Sequence, residues 1–382
     1  MINSIADLRE IAQRRVPRSI FEYVDRGSYD EITLNRNRTD LEALTFRQRV
    51  LIDVSRQSMA TTVLGGAASM PLVIGPVGMC GLVFGDGEIH TARAAEAFGI
   101  PYCLSTVSIC SIEDVRAATR TPFWFQLYIM KDRGYTMELV DRAEAAGCPV
   151  LMMTVDIPVS GLRRRDPKNG LAVPPRLTLR NALDICTKPR WLWSVSTGKR
   201  REFGNLTAAV SRTTGTTFAQ WLTRQFDASV TWKDLEAIRA RWKGKLIVKG
   251  IMDPEDARRV VSLGADALVV SNHGGRQLDC GASTISALPG VVDAVGDRCE
   301  VLFDGGVRSG QDMLKAQALG ARASVTGRAF LYGLGALGGK GVTLALEIMS
   351  RELQVSMALT GCNDILEAGR HLLQGPPRAG ST

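Results

Sequence analysis

Eight short apolar runs, each followed by polar or glycine-rich residues and separated by stretches of helical periodicity, predict an α/β chain. The expected fold is a (β/α)8 TIM barrel with an N-terminal helical subdomain and a long insertion after strand 4. Three observations carry this expectation. The runs are too short for helices and apolar throughout, as strands buried on both faces of a parallel sheet are. Several of the helical stretches close on a glycine just before the next run, at Gly99, Gly147, Gly264 and Gly320. The residues after each run are the types that bind or catalyse, and in a barrel all eight strand ends meet at one mouth.

Residues 1–70 open with helical patterning at 5–14 and 19–24 and lack the β–α rhythm, so they are expected to form a helical subdomain covering the barrel. The barrel is expected over residues 71–382. Its first run, Leu72-Val73-Ile74, leads into Gly75-Pro76-Val77-Gly78, and the helical stretch 89–98 follows. Tyr102-Cys103-Leu104 leads into Ser105-Thr106, and Phe123-Trp124-Phe125 into Gln126-Leu127-Tyr128. After the helical stretch 135–146, Val150-Leu151-Met152-Met153 leads into Thr154-Val155-Asp156. The crossover 157–245 then exceeds what a minimal barrel needs, so part of it should fold and part should serve a function. Leu246-Ile247-Val248 leads into Lys249-Gly250, with helical patterning over 254–263. Ala267-Leu268-Val269-Val270 leads into Ser271-Asn272-His273. Val301-Leu302-Phe303 leads into Asp304-Gly305-Gly306-Val307-Arg308, with helical patterning over 310–319. The last run, Ser324-Val325-Thr326, leads into Gly327-Arg328. A doubly wound dinucleotide fold fits poorly, because no Gly-x-Gly-x-x-Gly follows a strand and opens a helix.

Composition excludes several classes. A chain of 382 residues with 45% hydrophobic and 23% charged residues can bury a large core and is not of disordered type. No signal peptide is evident at the N-terminus. The longest uncharged stretch, residues 58–85, holds six glycines and two prolines, which suits a strand with flanking loops rather than a membrane span. Eight cysteines without a Cys-x-x-Cys read as reduced thiols, and three scattered histidines supply no metal-ligand spacing, so no metal is expected. The net charge of +8 is local: residues 163–202 carry eleven Lys/Arg against three Asp/Glu, the same net +8, so the remainder balances. That distribution argues against a nucleic-acid footprint.

The most informative stretch is Ser271-Asn272-His273-Gly274-Gly275-Arg276-Gln277-Leu278-Asp279. His273 can move a proton near neutral pH, and Arg276 can hold a carboxylate by two parallel hydrogen bonds. A proton acceptor beside a carboxylate clamp is what oxidation of a 2-hydroxy acid requires. Asp304 to Arg308 and Gly327-Arg328 offer backbone N–H groups, helix N-termini and two arginines where barrels commonly hold a phosphate. With Lys249 and polar side chains across the mouth, a phosphorylated cofactor fits better than a phosphorylated substrate. Each arginine taken alone could equally cap a helix or pair with an acid.

These motifs resemble the FMN-dependent 2-hydroxy acid dehydrogenases and oxidases from about residue 5 to Leu359-Thr360-Gly361. Trp124-Phe125-Gln126-Leu127-Tyr128, Leu104-Ser105-Thr106-Val107-Ser108 and Trp232-Lys233-Asp234-Leu235 are most similar to the bacterial respiratory L-lactate dehydrogenases within that family. The resemblance implies FMN as cofactor and FMN-dependent oxidation of L-lactate, or a close small L-2-hydroxy acid, to the 2-oxo acid. It makes His273 the base, Asp156 the stabiliser of its imidazolium, and Tyr128 a partner of the substrate oxygen. Arg276 and Tyr23, with Arg163 nearby, would bind the substrate carboxylate. Lys249 would sit where negative charge develops on the flavin, and Pro76, Val77, Gly78, Ser105, Gln126, Thr154 and Ser271 would line the flavin ring. Asp304, Gly305, Gly306, Val307, Arg308, Gly327 and Arg328 would hold its ribityl chain and phosphate.

The resemblance further implies quinone or another respiratory acceptor, a homo-oligomer (tetramer), and a peripheral place on the cytoplasmic face of the cell membrane. The basic segment with Lys188-Pro189-Arg190-Trp191-Leu192-Trp193 would be the anchor. Gly78 stands where the oxidases usually carry alanine, which favours a dehydrogenase. A mandelate dehydrogenase, an oxidase using O2, and a non-catalytic barrel sensing a phosphorylated metabolite remain as alternatives.

Overall fold

The structure is a computed structural model and describes residues 1–170, 178–207 and 227–374. The crossover expected over 157–245 is therefore described in part. Among the described residues ten strands run in chain order: β1 (Thr61–Val63), β2 (Gly66–Ala68), β3 (Leu72–Ile74), β4 (Cys103–Ser105), β5 (Trp124–Leu127), β6 (Val150–Thr154), β7 (Lys245–Ile251), β8 (Ala267–Val270), β9 (Glu300–Asp304) and β10 (Ala323–Thr326). β3 to β10 are parallel neighbours in the order β3-β10-β9-β8-β7-β6-β5-β4, and a bridge between Ile74 and Tyr102 closes the ring. This is the expected (β/α)8 barrel. Its inner face is filled by Val73, Cys103, Val150, Met152, Ile247, Val269, Leu302 and Val325, so the barrel is a packed core. Several strands extend one to three residues past their apolar runs, because the ladder continues into positions such as Gln126 and Lys249.

The antiparallel hairpin β1–β2 packs Val63 and Ala68 onto that inner core, and the Leu64 amide donates to Glu300 Oε2 at 2.9 Å. The periodicity in residues 1–70 gave no expectation of strands there. A two-residue turn at Leu64-Gly65, with φ of 52° and 80°, makes it. Three helices precede it: α1 (Ile5–Arg15), α2 (Arg18–Asp25) and α3 (Ile32–Ala43). Ser4 and Asp7 form a capping box that starts α1. The buried side chains Leu8, Ala12, Phe21 and Leu41 join the same core as the helices outside the barrel.

Asp25 ties α1 and α2 to the last third of the chain. Its carboxylate accepts from Arg9 at 2.6 and 2.7 Å and from the Tyr332 hydroxyl at 2.8 Å. Burial acts to raise the Asp25 carboxyl, but Arg9 and Tyr332 outweigh it and leave it below the usual 3.8. This stabilisation is full above the unfolded value and is lost as pH falls through the lower folded value. We expect Asp25→Asn to cost about 2 kcal/mol at pH 7. The gap to wild type should narrow at pH 3, as read by denaturant midpoints at the two pH values.

Candidate active site

β8 delivers Ser271 to the barrel mouth, where its hydroxyl accepts from Lys249 Nζ at 2.8 Å and donates to Asp304 Oδ2 at 2.7 Å. Three consecutive left-handed residues follow, His273, Gly274 and Gly275, with φ of 55°, 63° and 73°. A non-glycine residue in this region is strained, and His273, held in it, lines the cleft. His273 Nδ1 lies 2.9 Å from Asp156 Oδ1, which leaves Nε2 as the nitrogen that can face a ligand.

Asp156 can approach this closely because its neighbour is Gly250, at a register shift in β7 with φ of 112°. A Cβ at Gly250 would sit 2.6 Å from Asp156 Cβ. Burial pushes the Asp156 carboxyl up, but the His273 ring and the Lys249 ammonium prevail and hold it below 3.8. Its second oxygen is buried without a hydrogen-bond partner among the described residues. The acid is thus an anion committed to the imidazole.

The guanidinium groups of Arg276 and Arg163 lie over the Tyr23 ring, 4.8 and 5.2 Å from its centroid. Arg276 is held from behind, donating to the carbonyls of Tyr23 at 2.5 Å and Arg26 at 3.0 Å. Burial and repulsion from Arg163 both lower its affinity for its proton, a tension that a bound carboxylate relieves. Tyr128 lines the same cleft, and its phenol is pushed well above the usual 10 by burial and by Asp156. It stays protonated and can donate.

The opposite wall is Gly75, Pro76, Val77 and Gly78. A methyl group at Gly78 would come within 2.5 Å of Val107 Cγ2, so alanine there requires Val107 to move. Lys249 is 5% exposed; burial opposes its charge, but Asp304 at 2.8 Å and Asp156 overcompensate and its proton is held more tightly than usual. Gly305 and Gly306 take φ of 125° and 85°, and a Cβ on Gly306 would meet the Asn37 carbonyl of α3 at 2.4 Å. Arg308 stacks over Tyr332 at 5.6 Å. Arg328 opens the helix Arg328–Leu337 and donates to the carbonyls of Val24, Gly274 and Arg26 at 2.8, 2.9 and 3.1 Å. Burial and Arg308 bring it down to about 10. Alongside any phosphate it meets, Arg328 therefore staples the end of α2 to the His273 loop.

Tyr23, Pro76, Val77, Gly78, Tyr128, Arg163, Lys249, His273, Arg276, residues 304–308, Gly327 and Arg328 share one cleft. Ser105, Gln126, Thr154 and Ser271 are buried at adjoining strand ends. Gln126 Oε1 accepts from Ser105 Oγ at 3.1 Å, while Gln126 Nε2 and Thr154 Oγ1 are buried without a partner among the described residues. Orphaned polar groups beside a glycine-lined wall suit the heteroatom edge of a flat ring system, with the cation Lys249 close by and two arginines at the phosphate end. The donor set fits FMN. Met79, Val107, Ile157, Ser160 and Phe203 also line the cleft without a role in the expected site; Val107 lies within the Leu104–Ser108 motif, Met79, Ile157 and Ser160 just after other motifs, and Phe203 just past the basic segment. Asn37 was not expected either, yet it exchanges two side-chain hydrogen bonds with Asn272, at 2.8 and 2.9 Å, and so braces the His273 loop.

A family model described as FMN-dependent dehydrogenase matches residues 12–375. The chain is 47% identical over 383 residues to an L-lactate dehydrogenase of Caulobacter vibrioides (strain NA1000 / CB15N), covering 100% of both chains. It is 47% identical over 375 residues to an L-lactate dehydrogenase of Actinobacillus pleuropneumoniae serotype 5b (strain L20), covering 98% of each. Among solved structures, the monotopic membrane protein (S)-mandelate dehydrogenase superposes with a TM-score of 0.92 at 38% identity, covering 98% of this chain and 100% of that one. A mandelate oxidase does so with a TM-score of 0.83 at 37% identity, covering 98% of each.

Proposed function

The chain belongs to the FMN-dependent dehydrogenase family and is an FMN-dependent 2-hydroxy acid dehydrogenase; from that premise we propose that its substrate is L-lactate and that its electrons pass to a quinone. The observation that carries the chemistry is the His273–Asp156 pair facing the Arg163–Tyr23–Arg276 clamp across one cleft. Lactate is favoured by the full-length 47% identity to enzymes of that name, against 38% for the mandelate dehydrogenase.

In this reading Arg276 and Arg163 hold the substrate carboxylate, with the Tyr23 hydroxyl beside them, and fix the α-carbon near His273. His273 Nε2 takes the proton, and the Asp156 carboxylate stabilises the resulting imidazolium. Tyr128 donates to the substrate oxygen. Bound FMN supplies the two-electron acceptor. Pro76 to Gly78, Gln126 and Thr154 would contact its ring, Lys249 would balance charge there, and residues 304–308 with Gly327 and Arg328 would hold its chain and phosphate. Anaerobic mixing tests the reading. L-lactate should bleach the flavin faster than (S)-mandelate, and a soluble quinone should reoxidise it faster than O2. Preference for mandelate, or faster reoxidation by O2, would overturn the corresponding half.

We place the enzyme on the cytoplasmic face of the membrane as a peripheral protein. Among the described residues no helix is long and apolar enough to cross a bilayer. Among the described residues the crossover includes the short helices Leu179–Cys186 and Pro189–Thr197, on which Leu179, Leu183, Leu192 and Trp193 are exposed beside Arg180 and Arg190. That pattern suits an anionic headgroup layer. Trp191 differs from Trp193, because its indole N–H donates to the Leu82 carbonyl at 2.8 Å and fastens the helix to the body. Leu183→Ser with Trp193→Ser should abolish co-sedimentation with phosphatidylglycerol vesicles while dye-coupled turnover persists. Undiminished co-sedimentation would refute the anchor.

A further inference from the structure

We infer that Phe203 sets the upper size of the acid's side chain, an inference that rests on the 2-hydroxy acid reading above. Phe203 lines the cleft with Met79 and Val107, which also carry no charge. Its position follows from the backbone beside it. The Gly204 amide donates to the Ile109 carbonyl at 3.0 Å, in the loop after β4. In the closed ring of eight strands β4 and β8 stand four places apart, on opposite sides of the mouth. Phe203 therefore faces the His273–Arg276 loop from across the cleft. An acid whose carboxylate is held by Arg276 and whose α-carbon meets His273 directs its substituent toward this far wall.

The wall is rigid, although Phe203 belongs to the long crossover. Asn205 is 0% exposed. It accepts from the Ile112 amide at 2.9 Å and donates to the Ser105 carbonyl at 3.3 Å and Ser108 Oγ at 3.0 Å. Its own carbonyl accepts from the Tyr135 hydroxyl and from Arg142 at 3.2 Å. A Cβ at Gly204 would lie 2.6 Å from the Ser111 nitrogen, so the chain is pressed against that loop. A buried amide satisfied on both ends fixes a backbone in one place. The backbone that carries Phe203 is thus held in place, and in this inference its ring admits a methyl substituent and obstructs a long or aromatic one.

The test uses FMN-loaded wild type, Phe203→Ala and the milder Phe203→Leu, reduced anaerobically by L-lactate, L-2-hydroxyoctanoate and (S)-mandelate. Bound-flavin absorbance reports that each variant is folded, and Phe203→Leu decides if the alanine variant does not fold. The efficiency of reduction by the two larger acids, relative to lactate, should rise about tenfold or more in Phe203→Ala and by less in Phe203→Leu. Unchanged or lower ratios, with the wild type reduced by lactate, overturn the role of Phe203 alone. Wild-type flavin reduced by none of the three acids overturns the substrate reading, and this inference with it.

Discussion

His273→Ala should retain FMN and lose about a hundredfold to ten-thousandfold in the rate at which a 2-hydroxy acid reduces it. Retention follows from the architecture. The residues proposed to hold the phosphate stand on the loops after β9 and β10, and the fold of the His273 loop is kept by Asn37, Asn272 and Arg328 rather than by the imidazole. Loss follows from the chemistry, because the described cleft offers no second imidazole at the position facing the clamp. Alanine also leaves the buried Asp156 carboxylate without its 2.9 Å partner, so part of the change is electrostatic. His273→Gln keeps a hydrogen bond to Asp156 without a titrating ring and should be nearly as slow. Stopped-flow absorbance on the two variants measures both. A rate within tenfold of wild type in either one would falsify the assignment of the base.

The second large effect is expected from Lys249→Met. This ammonium joins Asp304 and the Ser271 hydroxyl, each at 2.8 Å, in a site that is almost completely enclosed. Removing it strands a carboxylate whose other ligand is a hydroxyl, which typically costs about 3–5 kcal/mol. It also removes the positive charge nearest the proposed ring site. We expect a large fall in apoprotein stability and weaker FMN binding, measured by denaturant unfolding and by fluorescence titration. The double variant Lys249→Met/Asp304→Asn should recover much of the stability and little of the FMN affinity, because the first depends on the stranded charge and the second on the missing one. Equal recovery of both would show that Lys249 acts only through Asp304.

The barrel was legible because β8, β6 and β3 are short, apolar and buried on both faces, which no helix or surface strand imitates. His273 and Arg276, the proposed base and one arm of the proposed clamp, stood out because they are polar and follow β8 closely, whereas Tyr23 in α2 and Arg163 in the crossover were reached only through the resemblance. What escaped was set by long-range contacts. α3 has little amphipathic pattern, and its start is held by Asp279, whose carboxylate accepts from Thr33 and Asp30 amides at 2.7 and 3.1 Å. The hairpin β1–β2 has only three residues per strand, too few for alternation to register. Leu64-Gly65-Gly66 between Thr61-Thr62-Val63 and Ala67-Ala68 was its one local signal. Phe203 is an ordinary aromatic until the buried Asn205 brings it across the mouth.

The braces on the His273 loop come from the opposite end of the chain. Asn37 bonds to Asn272 across 235 positions, Tyr23 to Arg276 across 253, and Val24 to Arg328 across 304. The part of the chain made first by the ribosome must therefore wait for nearly the last barrel strand before it can dock. Contacts of such separation are slow to form and late to mature. A growing chain can close most of its barrel and still be inert. A protease cut between α2 and α3 would break the covalent link between the braces made by Tyr23 and Val24 and the one made by Asn37.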